Sequence, residues 1–136
     1  MSQIKLKSEH KDLDKYQTSD GSIHYYKKGT FIYHNPYGPA VIYNDGFTYC
    51  YIEDCLMGNK KLESEYSDLD KYEYNNDIYY YKKDTCINHN IYGPASIYED
   101  GEEVYWINNE YLTKKEFEKH PERLKYLKKR NLICLL

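Results

Sequence analysis

The feature that most narrows what this chain can fold into is a stretch it carries twice. His34-Asn35-Pro36-Tyr37-Gly38-Pro39-Ala40-Val41-Ile42-Tyr43-Asn44-Asp45-Gly46 recurs as His89-Asn90-Ile91-Tyr92-Gly93-Pro94-Ala95-Ser96-Ile97-Tyr98-Glu99-Asp100-Gly101, at an offset of 55 residues without a gap. Tyr26-Lys27-Lys28 recurs as Tyr81-Lys82-Lys83 at the same offset. Asp12-Leu13-Asp14-Lys15-Tyr16 recurs as Asp68-Leu69-Asp70-Lys71-Tyr72 at an offset of 56, so the second copy has lost one residue between these two blocks. Self-similarity at a fixed period marks a repeat architecture, in which each unit covers part of its neighbour. The expectation is a single domain, 1–136, made of two internal repeats at about 4–59 and 60–115, plus a C-terminal helix over 113–130.

A shorter punctuation runs inside each unit. Asp20-Gly21, Asp45-Gly46 and Asp100-Gly101 are each followed by β-prone Tyr residues. Asp-Gly between such residues signals a two-residue hairpin, because Gly takes positive φ without steric cost and Asp tolerates it. This predicts short antiparallel strands near 22–27, 30–34, 39–43 and 47–53, and again near 78–82, 85–89, 94–98 and 102–107. Alternation puts Ala40, Ile42, Cys50 and Ile52 on one face, matched by Ala95, Ile97, Tyr105 and Ile107. Val41, Tyr43, Tyr49 and Tyr51 fall on the other, matched by Ser96, Tyr98, Val104 and Trp106. The first set is expected to be the better buried, leaving the second as a half-exposed aromatic contact surface.

Helix enters at three places. Residues 64–72 carry a candidate cap at Ser64 and an apolar pair at Tyr66 and Leu69, which predicts a short inter-unit helix or turn, with the same for 8–16. Thr113-Lys114-Lys115-Glu116 is a capping box, and Pro121 interrupts or restarts the helix that follows. Phe117, Leu124 and Leu127 are expected to pack on the sheet. The apolar end, with Leu132, Ile133, Leu135 and Leu136, is expected to dock on the sheet or on a second subunit, giving a homodimer through the tail. The fold class is thus mainly β, two tandem units of short antiparallel hairpins with a short inter-unit helix and a C-terminal α-helix.

Composition sharpens this. Tyr supplies 19 of 136 residues against 3 Phe and 1 Trp. Tyr suits half-buried sheet faces and interfaces, and this aromatic content is too high for a solvated coil. Residues 113–136 hold 8 Lys+Arg against 3 Glu, a net +5, while residues 1–112 hold 11 Lys against 19 Asp+Glu, a net −8. An acidic body is a poor partner for nucleic acid, whose phosphates need clustered cations. The four cysteines, at 50, 55, 86 and 134, do not repeat between copies, and the first residues lack the apolar core of a secretory signal. The expectation is reduced thiols and an intracellular, cytoplasmic protein.

The series Asp20-Gly21, Tyr25-Tyr26, Gly29, His34, Gly38-Pro39-Ala40, Ile42-Tyr43, Asp45-Gly46, with its second copy, resembles MORN-type repeats, and most of all a variant found in phages and large DNA viruses. Asn109-Glu110-Tyr111-Leu112-Thr113-Lys114-Lys115-Glu116-Phe117 resembles the helical cap that closes such arrays. The resemblance implies stacked β-hairpins, a viral setting and a binding or scaffolding role.

No residue set spells out catalysis. His34 and His89 hold equivalent loop positions and read as hydrogen-bonding partners of the loop into Gly-Pro-Ala. Cys86 and His89 have C-x₂-H spacing and Cys50 and Cys55 C-x₄-C spacing, a Cys₃His set of zinc type. Its absence from the first copy leads us to expect no metal. Asp12, Asp14, Asp68 and Asp70 lack the Gly and distal Glu of a calcium loop. Neither a nucleophile elbow nor a phosphate loop occurs. The sequence thus leads us to expect no enzyme and no cofactor. It points to a protein interaction module, with anionic-lipid or carbohydrate binding as alternatives. The candidate interface residues are Tyr43, Tyr49, Tyr51, Tyr98, Val104, Trp106, Leu132, Ile133, Leu135 and Leu136.

Overall fold

A computed structural model describes the backbone of residues 2–135 and the side chains of residues 2–131. The side chains of Leu132, Ile133, Leu135 and Leu136 lie outside the described residues. The first unit holds β1 (Gln3–Leu6), β2 (Leu13–Thr18), β3 (Ile23–Lys27), β4 (Val41–Ile42), β5 (Thr48–Ile52) and β6 (Cys55–Gly58). The second holds β7 (Lys60–Leu62), β8 (Leu69–Tyr74), β9 (Asp77–Lys82), β10 (Ser96–Ile97), β11 (Glu103–Ile107) and β12 (Glu110–Leu112). Helices α1 (Lys114–Lys119) and α2 (Pro121–Leu135) follow. Each unit is a six-stranded antiparallel meander in chain order.

The chain is mainly β, as the alternation implies, but the turns are of two kinds. At the Asp-Gly sites only Gly has positive φ, and the loops span three residues. The Tyr43 amide meets the Phe47 carbonyl and Gly46 donates back to the Tyr43 carbonyl. That is a type I turn followed by a left-handed Gly, the three-residue hairpin. The two-residue turns lie elsewhere, at Glu53-Asp54, Asn75-Asn76 and Asn108-Asn109, where both residues have positive φ. The lost residue is located here too: Ser19-Asp20-Gly21 closes β2–β3, whereas Asn75-Asn76 closes β8–β9.

The short inter-unit helix is not present. Residues 65–68 form a bend and turn that delivers the chain into β8, and residues 9–12 do the same for β2. Paired sheet edges prevail over a weak helical pattern, since Leu69-Tyr74 and Leu13-Thr18 each find two strand neighbours. The expected strands at 30–34 and 85–89 shrink to the single bridges Tyr26–Tyr33 and Tyr81–Asn88. The short helix of the fold is α1. Its capping box is formed: Thr113 Oγ1 accepts from the Glu116 amide at 3.2 Å, and the Glu116 carboxylate accepts from the Thr113 amide at 3.0 Å. Phe117 is buried, but Leu124 is exposed. Arg123 anchors α2 instead, donating to the Ile91 and Tyr92 carbonyls and lying over the Phe117 and Tyr126 rings.

The two units stack through one cluster. Cys50, Ile52 and Met57 from β5–β6 bury against Tyr72 and Tyr81 from β8–β9. The chain passes between them at Gly58, where an added Cβ would sit 2.6 Å from the Glu73 carbonyl oxygen and 3.1 Å from Tyr72 Cβ. At the far end Ile107 and Leu112, the counterparts of Ile52 and Met57, bury against Phe117 of α1.

Candidate functional site

The repeated loop is held by a set of hydrogen bonds made twice. Asn35 Nδ2 donates to the Pro39 carbonyl at 2.8 Å and its Oδ1 accepts from the Tyr37 amide; Asn90 does the same with Pro94, at 2.9 Å, and Tyr92. His34 Nδ1 accepts from the Glu53 amide, and His89 Nδ1 from the Asn108 amide, each at 3.0 Å. These amides open the two-residue turns, so each imidazole ties loop to hairpin and must be neutral at Nδ1 to do so. Burial lowers the pKa of both. The histidines therefore sit as turn supports, not as bases aimed into a cleft.

The carboxylates repeat as well. Asp14 accepts from the Gly29 amide at 2.8 Å and pairs with Lys5; Asp70 accepts from the Asp84 amide at 2.7 Å and pairs with Lys61. Gly29 and Asp84 both hold positive φ, which Asp is among the better side chains at tolerating. Glu9 pairs with Lys15 and accepts from Tyr25 Oη at 2.6 Å, and its carboxyl is lowered to about 2 by those partners. Glu65 repeats the arrangement with Lys71 and Tyr80. Tyr37 and Tyr92 donate to Asp12 and Asp68. The Asp-x-Asp pairs are thus spent on loop amides, lysines and tyrosines.

Cys50, Cys55 and Cys86 do not gather round His89 as a metal-binding set. Cys50 is fully buried in the inter-unit cluster, and burial pushes its thiol up to about 11. Cys55 and Cys86 lie against each other, and burial, then the Cys86 thiol, push Cys55 up to about 11. Such thiols are poor nucleophiles at neutral pH. Among the described residues no group of three or more His, Cys, Asp or Glu is placed to hold a metal ion.

What remains is the outer aromatic face. Tyr51 stacks on Tyr33 with ring centroids 5.3 Å apart, and Tyr43 meets Tyr49 edge-on at 5.9 Å. Tyr51 neighbours Tyr33, Tyr43 and Tyr49 in its own unit and Tyr74 in the next. Tyr79 continues the row from Tyr74 and meets Tyr98 at 6.3 Å, and Trp106 meets Tyr111 at 5.6 Å. A tyrosine band therefore crosses both units. At the unit boundary a shallow groove of about 180 Å³ opens between Leu56, Met57, Tyr74, Tyr79 and Tyr81. Tyr43 is exposed, and Tyr49, Tyr51, Tyr98, Val104 and Trp106 are half-buried. The face is not evenly open. Val41 and Ser96 are buried, each between cross-strand partners on the same face: His24 and Tyr49 for the first, Tyr79 and Val104 for the second.

Alternation alone missed Tyr33 and Tyr74. Tyr33 sits in a loop bridged to β3, and Tyr74 belongs to a strand hidden by its Asp-Lys-Glu content. The repeat gave no signal for Tyr74, whose counterpart in the first unit is the polar Thr18. Comparison with protein-family models, with curated proteins and with solved structures gave no match. No helix of the described residues is long and apolar enough to cross a membrane.

Proposed function

We propose that this chain is a non-catalytic repeat protein that works as a protein–protein interaction module, with the tyrosine band as its contact surface. The carrying observation is a division among its tyrosine hydroxyls. Tyr25, Tyr37, Tyr80 and Tyr92 each donate to a carboxylate of their own unit. In the band, Tyr79 donates to Asp77 at 3.5 Å, while Tyr43, Tyr49, Tyr51, Tyr74 and Tyr98 make no hydrogen bond to the described residues and none of their hydroxyls is a buried orphan. A row of rigid rings with accessible, unspent donors suits recognition: tyrosine offers large contact area with little rotamer entropy to lose, and it is enriched among residues that dominate binding energy. Among the described residues, His34, His89 and the repeated carboxylates Glu9, Asp14, Glu65 and Asp70 are engaged by the fold itself, and the reading calls on no acid–base chemistry from them. The resemblance to repeats of phages and large DNA viruses supports a viral setting.

The test is affinity capture from source cells with the intact chain and with a Tyr43→Ser, Tyr49→Ser, Tyr98→Ser variant. Proteins held by the first and lost from the second are the expected result. Identical capture by both chains overturns the reading. So does binding confined to a glycan array, which moves the band to carbohydrate recognition.

A further inference from the structure

The tyrosine band has a spacing and a charge as well as free donors. In the second unit Tyr74 on β8, Tyr79 on β9 and Tyr98 just after β10 share one face, on three neighbouring strands. Antiparallel strands lie about 4.8 Å apart, so the Tyr74 and Tyr98 positions are about 9.6 Å apart across β9. Asp77 of β9 lies between them: it pairs with Tyr74 and accepts from the Glu99 amide at 2.9 Å. The groove of Leu56, Met57, Tyr74, Tyr79 and Tyr81 opens on one side of this row. A hollow of about 350 Å³ between Asp77, Tyr98, Glu99 and Asp100 opens on the other. The turns at this end of the strands, at 19–21, 44–46, 75–77 and 99–102, carry Asp20, Asp45, Asp77, Glu99, Asp100 and Glu102 and no Lys or Arg. The ion pairs among the described residues all use other carboxylates. Lys60 reaches the same end but lies across from Glu73, which alternates to the face away from Tyr72 and Tyr74.

We propose that this groove and its acidic rim receive a proline-rich segment of another polypeptide, in the polyproline II conformation, with a Lys or Arg beside the prolines. The proposal rests on the band being a contact surface and names what it contacts. A polyproline II chain makes no internal hydrogen bonds, so its carbonyls are free to accept, and its prolines have no N–H to leave unsatisfied. Tyr74 and Tyr98 offer the converse, hydroxyl donors without acceptors among the described residues. A helix would arrive with its backbone carbonyls already bonded and would leave these hydroxyls unmatched. One turn of polyproline II is three residues of about 3.1 Å, or about 9.3 Å. A Pro-x-x-Pro segment laid across the strands therefore repeats at the Tyr74-to-Tyr98 spacing, one proline against each ring and the middle of the turn over Tyr79. Proline-rich segments dock in aromatic-lined grooves of this kind, and their preformed conformation leaves little entropy to lose. The adjoining cation meets the carboxylates of Asp77 and Glu99 beside the tyrosine rings, an arrangement that attracts Lys and Arg and repels acidic flanks.

The test is fluorescence anisotropy of the full chain with labelled Pro-x-x-Pro peptides, x being Ala or Leu, with one Arg flanking the prolines at either end. Binding is expected, and it should weaken at least about tenfold when every Pro is replaced by Ala or the Arg by Glu. These controls need no variant of the chain to fold. Tyr74→Phe keeps the ring and removes the donor; Asp77→Asn keeps an acceptor for the Glu99 amide and removes the charge. Each should weaken binding about fivefold, the second less in high salt. Absence of binding at about 1 mM chain overturns the proposal. So does equal binding of the all-Ala peptide, which leaves charge alone as the attraction. Binding indifferent to both Tyr74→Phe and Asp77→Asn also overturns it, because the peptide then sits elsewhere. If no peptide binds while the capture experiment above still yields proteins lost from its triple variant, this proposal falls alone and the contact surface stands.

Discussion

Tyr16 and Tyr72 are the same residue of the same repeat, with the same register to their strand neighbours, yet one is half-buried and the other has no exposed surface. The local difference is confined to the cross-strand partner, His24 for Tyr16 and Tyr79 for Tyr72. The larger difference is what lies on top: an edge Phe in one case, a whole hairpin in the other. Burial in a stacked repeat is thus a property of the junction and not of the unit, which is why stability in such proteins divides into unit terms and interface terms. The two positions are covered differently: Ile107 and Leu112 lie under Phe117 of the capped helix, whereas Tyr16 lies under an exposed Phe31.

The largest effect should come from breaking this comparison at the ring. Tyr72→Ala removes a fully buried aromatic and opens the junction, at a cost of about 3–5 kcal/mol. Tyr16→Ala should cost about 1 kcal/mol, because water already reaches its ring. Urea midpoints with unchanged slope would measure both; equal losses would mean that the junction adds nothing to the unit. Tyr72→Phe sharpens the point. The Tyr72 hydroxyl is buried without a partner among the described residues, so deleting it should be neutral or stabilising by up to about 1 kcal/mol.

Next in size is the passage between units. Gly58 in the first corresponds to Thr113 in the second, one leading into β7 and the other into α1. Gly58→Ala drives a methyl into the Glu73 carbonyl, backbone that cannot swing aside, and should cost about 1–3 kcal/mol. Thr113→Ala leaves the chain path unchanged but unpairs the Glu116 amide, and should cost about 1 kcal/mol. Thermal melts of the two variants rank them; a harmless Gly58→Ala would show that the units are not pressed together there.

How much of this was legible in the sequence follows from the same contrast. The duplicated loop, the turns at 45–46 and 100–101, the capping box at Thr113 and the two-faced alternation around Ile52 and Ile107 are local signals, and local geometry delivers them. Strands β2 and β8 were not legible. Leu13-Asp14-Lys15-Tyr16 and Leu69-Asp70-Lys71-Tyr72 have poor strand propensity, and only two paired neighbours make them strands. Their aspartates reach loop amides about fifteen residues away. Fold-wide contacts of that kind leave no periodic trace. The tyrosine band was visible in part, at Tyr43, Tyr49, Tyr51 and Tyr98. Its continuation through Tyr74 across the junction was not, because stacking order is not written in either copy alone.

The smallest predicted difference concerns the paired histidines. Both accept a turn amide at Nδ1, and burial lowers the pKa of both below the ordinary 6.5. The unfolded chain therefore binds protons that the folded chain refuses. Stability from each imidazole is full above the unfolded value and is lost as pH falls through the lowered folded value. Glu9 and Asp14, whose pKa values are lowered by hydrogen bonds and lysines, add a second loss only in more acid solution. His89 is buried beside the loop that Arg123 holds, whereas His34 is half-exposed. The two histidines should therefore contribute unequally. Between about pH 7.5 and about pH 5.5, the fall in urea midpoint should be flattened more by His89→Gln than by His34→Gln. A larger flattening from His34→Gln would mean that the second loop is no better shielded than the first, and that the helical cap stabilises only the end hairpin beneath Phe117.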